Sequence, residues 1–112
     1  SALTMESIIN HISVLNPQRI LKEMEGILNQ LRNTLAIAPN RQVTLRFLIH
    51  CCCMVERIVI NRKPLQIALE TRPDMDAQAF SVIKSAFHPV EEAYAIRLSD
   101  AEYIYIYELL FS

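Results

Sequence analysis

The sequence has a single glycine, Gly26, and no tryptophan. One glycine cannot build a glycine-rich loop of the kind that cradles phosphate groups, so a nucleotide site of that type is excluded. The formal net charge of -1 at pH 7 gives no basis for nucleic-acid binding through bulk electrostatics. No apolar run reaches the roughly 18 residues that a transmembrane helix needs. No basic start followed by an apolar region marks a signal peptide. We therefore expect neither direct nucleic-acid contact nor membrane contact.

Cysteine is confined to three consecutive positions, Cys51 to Cys53. On a helix these side chains point about 100° apart, so they cannot close on one metal ion, and they make a poor disulfide framework. The three histidines of the chain lie far apart in sequence. We expect no metal site and no cofactor. The cysteines are interpreted as small buried apolar residues in a reducing compartment, the cytoplasm.

The chain is rich in apolar residues, and these recur at helical spacing. Of its 112 residues, 52% are hydrophobic, which is ample for the core of one domain. We predict a single domain over 1–112, with 1–3 as a cloning remnant or linker to a longer protein. The fold class predicted is all-α, a compact bundle of about five helices with antiparallel helix pairs. The predicted helices are 4–14, 17–35, 44–60, 77–95 and a last one opened by the S-x-x-E capping box of Ser99 to Glu102, with a possible extra turn at 65–69.

Three local features of the predicted helices allow more than one structural interpretation. The Ile/Tyr alternation after Glu102 suits a strand as well as a helix, and the capping box favours the helix. Pro89 lies inside the predicted fourth helix, where it removes a backbone hydrogen bond, so a kink or a break is expected near Phe87–His88. Gly26 lies mid-helix, where glycine costs about 1 kcal/mol relative to alanine. Close approach of another element would explain it.

The stretch 44–60, TLRFLIHCCCMVERIVI, is apolar over most of its helical circumference, which predicts burial. His50 falls in a narrow polar seam with Arg46 one turn before it and Arg57 two turns after it. Glu56 falls on the apolar face instead, and we interpret it as a buried structural anchor that needs an arginine or backbone amides as partners. The residues alone favour a structural role for His50, packed against a neighbouring helix. The other interpretation is a nucleophilic imidazole whose phosphorylated form the arginines stabilise.

Enzymatic chemistry finds little support in the residues. A Cys–His nucleophile would have to use Cys51 or Cys53, whose thiols are needed for packing in a helix interior. The adjacent carboxylates of Glu91 and Glu92 diverge on a helix, which argues against a paired-carboxylate hydrolase. We expect that the protein is not an enzyme.

The segment His50 to Arg57, HCCCMVER, resembles the first-histidine motif of the PTS regulation domain. That motif is a histidine on an apolar helix followed by Glu-Arg six and seven residues later. Its form here, with Ile49 before the histidine, resembles the C-terminal such domain of sigma-dependent AAA+ activators of the levanase-operon type. Leu15-Asn16-Pro17 and the acidic-then-aliphatic segment 100–106, DAEYIYI, add support, so the resemblance covers about 15–111.

The resemblance implies a helical regulatory domain of a bacterial transcriptional regulator. Such a domain is phosphorylated reversibly on histidine by phosphotransferase-system proteins, either a sugar-specific enzyme II component or the phosphocarrier protein, and controls activity according to sugar availability. It also implies a homodimer. Carried onto this chain, the phospho-acceptor is His50 and the motif arginine is Arg57. Arg46 is added as a phosphate-supporting residue from the helical wheel alone.

One departure from the family pattern concerns a second histidine. Family members often have it in the last helix, seven residues after the glutamate, where this chain has Leu109. His11 and His88 do not match motif positions. The alternative function is a non-catalytic helical dimerisation or interaction module in which His50 is silent.

Overall fold

The computed structural model of the protein describes residues 2–61 and 74–111. The described residues form helices joined by short connections, with no strand among them, which confirms the all-α bundle. The segment after Glu102 is helical, so the strand alternative is wrong. The extra turn expected at 65–69 lies outside the described residues. The helices are α1 Ala2–His11, α2 Pro17–Leu35, α3 Arg41–Asn61, α4 Ala77–Tyr94 and α5 Asp100–Phe111.

Helix α2 has the bounds that its sequence predicts. Asn16 is its N-cap, and the Asn16 side chain accepts a hydrogen bond from the backbone N–H of Arg19 at 3.0 Å. Pro17 occupies the first helical position, where its missing N–H is no loss. The helix ends at Ala36, which adopts a left-handed conformation with φ 53°. Helix α4 ends in the same way at Ala95, with φ 52°.

Helix α3 begins at Arg41, three residues before the predicted start at Thr44. The reason is Asn40, whose side chain accepts a hydrogen bond from the backbone N–H of Val43 at 2.8 Å. The Asn40 carbonyl also accepts from Thr44 N–H at 2.9 Å. Asn40 therefore caps this helix as Asn16 caps α2. Helix α1, by contrast, ends at His11, three residues before its predicted end at Val14.

Helix α4 runs through Pro89 without interruption, so of the kink or break expected near Phe87–His88 the break is wrong. Proline removes the N–H that would bond to the carbonyl of Ser85, four residues earlier. Both Ser85 and Pro89 are exposed, which lets water bond to that carbonyl and keeps the helix intact. At the other end, the Asp76 carboxylate accepts from the backbone N–H groups of two residues in the first turn, at 2.9 and 3.2 Å.

Gly26 is not explained by close packing. It is exposed on α2, and a Cβ built at this position would meet no atom within 4 Å. The expectation of a close approach is therefore wrong. The glycine faces an open groove of about 370 Å³ between α2 and α4, whose opposite side includes Pro89 and Ala93.

Helix α3 lies at the centre of the bundle and packs against α1, α2 and α5, while α4 packs against α2 and α5. Phe47 of α3 and Phe87 of α4 are fully buried and make a ring contact with centroids 6.3 Å apart. No helix in the described part of the chain is long and apolar enough to cross a membrane. The other large, fully buried apolar side chains are Ile8, Ile20, Met24, Leu31, Met54, Ile83 and Ile106.

Candidate functional site

His50 lies where α3 meets α5. It is half-buried, and its imidazole stacks on the ring of Tyr105 from α5, with ring centroids 4.3 Å apart and an interplanar angle of 30°. The Nε2 atom is enclosed and has no hydrogen-bond partner among the described residues. A buried polar atom without a partner is uncommon in folded proteins and often marks a functional position.

The environment of His50 favours its neutral form. Burial lowers the pKa of His50 from its ordinary value of 6.5, because it disfavours the charged imidazolium. The carboxylate of Glu102 opposes this shift, and the guanidinium of Arg57 adds to it. The net direction is downward, so the imidazole is largely uncharged at neutral pH. A nitrogen lone pair is then free to act as a nucleophile.

Arg57, two turns after His50 on α3, forms an ion pair with Glu102 of α5. The Arg57 side chain is 36% exposed, whereas the Glu102 side chain is fully buried. One carboxylate oxygen of Glu102 bonds to Arg57 Nη2, and the other is enclosed without a partner in the described part of the chain. The ion pair and the stack of His50 on Tyr105 together join α3 to α5.

Glu56, beside Arg57 in sequence, points to a different part of the bundle. Its carboxylate is buried and accepts hydrogen bonds from three consecutive backbone N–H groups in the α1–α2 connection: Ser13 at 2.9 and 3.0 Å, Val14 at 2.7 Å and Leu15 at 2.9 Å. Burial alone would raise the pKa of Glu56, but these bonds outweigh it and lower the pKa from its ordinary 4.5. Glu56 thus connects α3 to the chain just before α2.

Arg46 is exposed on α3, one turn before His50. Among the described residues, no hydrogen bond or ion pair joins the Arg46 side chain to His50 or to Arg57. The structure therefore brings His50 and Arg57 together around Glu102 and leaves Arg46 apart from them.

The cysteines beside His50 are free thiols, buried at Cys51 and Cys52 and half-buried at Cys53. Burial raises the pKa of Cys52 to about 12 and that of Cys51 well above its ordinary range. The pKa of Cys53 is raised for the same reason. These thiols stay protonated at neutral pH, which makes them poor nucleophiles.

The other two histidines lie in exposed positions. His11 Nδ1 is 2.7 Å from the backbone carbonyl oxygen of Ser7, at the end of α1. His88 Nε2 is 3.0 Å from a carboxylate oxygen of Glu92, within α4. Leu109, at the place of the second family histidine, is buried on α5. Of the three histidines, His50 is the one that is partly buried and stacked on an aromatic ring of a second helix.

Sequence reasoning missed two members of this site, Glu102 and Tyr105. Glu102 was assigned to a capping box, and its backbone N–H does donate to Ser99 Oγ at 3.4 Å. Its carboxylate, however, turns inward to Arg57 instead of returning to the cap. The sequence feature that indicates a shared site is the spacing of Glu102 and Tyr105, which lie three residues apart and therefore on one face of α5. Burial of that face could not be read from a helix that is apolar nearly all round.

The described part of the chain is thus an all-α domain with a half-buried histidine that is followed by Glu-Arg on the same helix. The profile of the PRD domain family matches residues 18–112, and the chain belongs to this family. The chain is also similar to a protein of Salmonella typhimurium (strain 14028s / SGSC 2262) named "Transcriptional regulatory protein DagR". The two are 81% identical over all 112 residues. The chain spans 12% of the length of that relative. No solved structure matches the chain.

Proposed function

We propose that the chain is the phosphorylation-controlled regulatory domain of a bacterial transcriptional regulator, and that His50 is its phospho-acceptor. The observation that carries the proposal is the position of His50. It is held neutral by partial burial at the α3–α5 contact, with the guanidinium of Arg57 near enough to influence its pKa. Family membership and the relative's printed name support the regulatory role. The levanase-operon type of sigma-dependent AAA+ activator is the context that we propose for the rest of the protein.

The transfer proposed is a displacement at phosphorus. A lone pair of the neutral His50 imidazole forms a nitrogen–phosphorus bond while the bond between phosphorus and the donor's histidine or cysteine breaks. The bonding pair leaves with the donor atom, which takes up a proton, and the imidazolium of His50 releases one. The phosphoryl group carries up to about two negative charges. In this proposal Arg57 binds the phosphoryl oxygens through charge-assisted hydrogen bonds, and Arg46 turns towards them from its exposed position.

The partners proposed are phosphotransferase-system proteins, either a sugar-specific enzyme II component or the phosphocarrier protein, in the cytoplasm. We also propose a homodimer. The aromatic side chains of Tyr105 and Phe111 on α5, 37% and 41% accessible, are exposed apolar surface, which supports a second copy covering part of α5. Sedimentation of the purified chain tests this point, and a monomer at all concentrations would contradict it.

The test is labelling with phosphoenolpyruvate, the general phosphotransferase proteins and a set of sugar-specific components. We expect one acid-labile phosphate per chain, lost in His50→Ala. His11→Ala and His88→Ala are matched controls and should keep the label, because both histidines lie outside the α3–α5 contact. Label that survives His50→Ala would contradict the site. No label on the wild-type chain with any donor would favour the alternative, an interaction module with a silent histidine.

A further inference from the structure

The carboxylate of Glu102 is the group at this site that the loss of its partner would destabilise most. Its side chain is fully buried, and one of its two carboxylate oxygens has no hydrogen-bond partner among the described residues. Arg57 supplies its counter-charge. Removing one partner of a buried ion pair leaves an uncompensated buried charge, which is strongly destabilising. The position of α5 on α3 therefore depends on Arg57 remaining with Glu102.

The geometry places this pair beside His50. Arg57 and His50 lie two turns apart on α3, while Glu102 and Tyr105 lie one turn apart on α5. Besides the apolar packing between these helices, the ion pair of Arg57 with Glu102 and the stack of His50 on Tyr105 connect them. The charges of Glu102 and Arg57 both act on the imidazole. A guanidinium has five N–H donors, and that of Arg57 is partly exposed, so it can turn between two anionic partners.

We propose that Glu102 is the residue through which α5 responds to phosphorylation, by competing with the phosphoryl group on His50 for Arg57. This inference rests on the proposed function. A phosphoryl group carries more charge than a carboxylate and is the stronger partner for arginine. When Arg57 turns to it, Glu102 is left buried without its counter-charge and close to new negative charge. The first turn of α5 then moves to let water reach Glu102, and the stack of Tyr105 on His50 opens.

The test uses the chain with His11→Gln and His88→Gln, in which His50 is the only histidine. Potassium phosphoramidate is the phosphoryl donor, because it is small and does not depend on knowing the natural donor. Intact-mass analysis gives the phosphorylated fraction, and hydrogen exchange of 100–111 gives the local stability of α5. We expect exchange in α5 to rise about tenfold or more on phosphorylation.

The Glu102→Gln variant removes the charge that would be left unpaired while keeping the side-chain shape. We expect its phosphorylation-dependent rise in α5 exchange to fall to less than half that of the parent. Glu108→Gln is the matched control, since it removes a carboxylate further along the same helix, and it should keep the full response. If Glu102→Gln alone unfolds, the pair Arg57→Gln/Glu102→Gln replaces the ion pair with two amides, and its response should likewise fall to less than half that of the parent.

The outcomes separate the two proposals. Phosphorylation of His50 without a change in α5 exchange would overturn the role of Glu102 and leave the proposed function standing. An equal rise in the parent and in Glu102→Gln would also overturn it. Failure of His50 to accept phosphate from phosphoramidate and from the protein donors would overturn both.

Discussion

Replacing Glu56 with glutamine tests whether a single carboxylate holds α3 to the α1–α2 connection. Glutamine keeps the length and shape of the side chain but has no charge and only one acceptor oxygen. The wild-type carboxylate accepts from three consecutive backbone N–H groups, of Ser13, Val14 and Leu15. Oε2 accepts from all three groups and Oε1 from Ser13 as well, so an amide oxygen at the Oε2 position keeps the three bonds without their charge, while the amide NH₂ faces the Ser13 N–H.

The magnitude follows from three hydrogen bonds that lose the charge of their acceptor, since a neutral hydrogen bond contributes only about 0.5–1.5 kcal/mol. A hydrogen bond to a charged group contributes about 1.5–3 kcal/mol. Ser13 and Val14 are exposed, so water can replace part of what their amides lose, whereas Leu15 is half-buried. We expect Glu56→Gln to lower the free energy of unfolding by about 3 kcal/mol at pH 7, a large fraction of the total for a domain of this size. The corresponding fall in Tm is about 12 °C.

The stability difference between wild type and Glu56→Gln should also depend on pH. The pKa of Glu56 is lower in the folded chain than its ordinary value of 4.5. A carboxylate with a depressed folded pKa stabilises the fold fully above its unfolded pKa, and this contribution disappears as the pH falls through the folded pKa. Glutamine does not titrate. The difference in stability between wild type and variant should therefore be constant above about pH 5 and shrink below it.

Urea denaturation followed by circular dichroism, at a series of pH values from 7 down to 3, measures both parts. Glu25→Gln is the control, because Glu25 is exposed on α2, and we expect it to lie within about 0.5 kcal/mol of wild type. A Glu56→Gln variant as stable as that control at pH 7 would refute the reasoning. So would a difference from wild type that stays the same at low pH.

Two further predictions concern other positions. Gly26→Ala should raise the free energy of unfolding by about 1 kcal/mol, because Gly26 is exposed mid-helix and its new Cβ meets nothing within 4 Å; urea denaturation showing no gain would contradict this. Tyr105→Ala should raise the pKa of His50 towards its ordinary 6.5, since burial is the largest cause of its depression. Proton NMR titration measures this pKa, and an unchanged pKa at His50 would show that Tyr105 does not shield the ring.

The fold was predictable because its determinants are local. Asn16-Pro17 and apolar residues at helical spacing specify α2 completely within its own segment. Where the prediction of a boundary failed, a particular side chain decided the outcome. Asn40 lies outside the predicted helix 44–60, but its side chain caps α3 and moves the start of the helix to Arg41. Helix α1 stops early, and the amides that follow it bond to Glu56, 41 to 43 residues away.

The candidate site was predictable only in its α3 half. The spacing of His50 and Arg57 on one helix follows from the chain itself. Their partners on α5 depend on which face of that helix turns inward, and a helix that is apolar nearly all round gives no such signal. The wheel also overstated the burial of the end of α3, since Ile60 is 51% exposed. Periodicity shows that a helix is buried but does not fix the neighbour of each face.

Helices α2 and α4 each end at a residue in the left-handed conformation, and this affects which order of the same amino acids would be most stable. Ala36 and Ala95 adopt positive φ, where a Cβ is strained and glycine is not. The only glycine instead occupies an exposed helix interior. Exchanging the residues at 26 and 36 would leave mass, charge and amino-acid content unchanged while relieving strain at one position and restoring helix propensity at the other. An isomeric sequence would thus be more stable by about 2 kcal/mol than the natural order of the same residues.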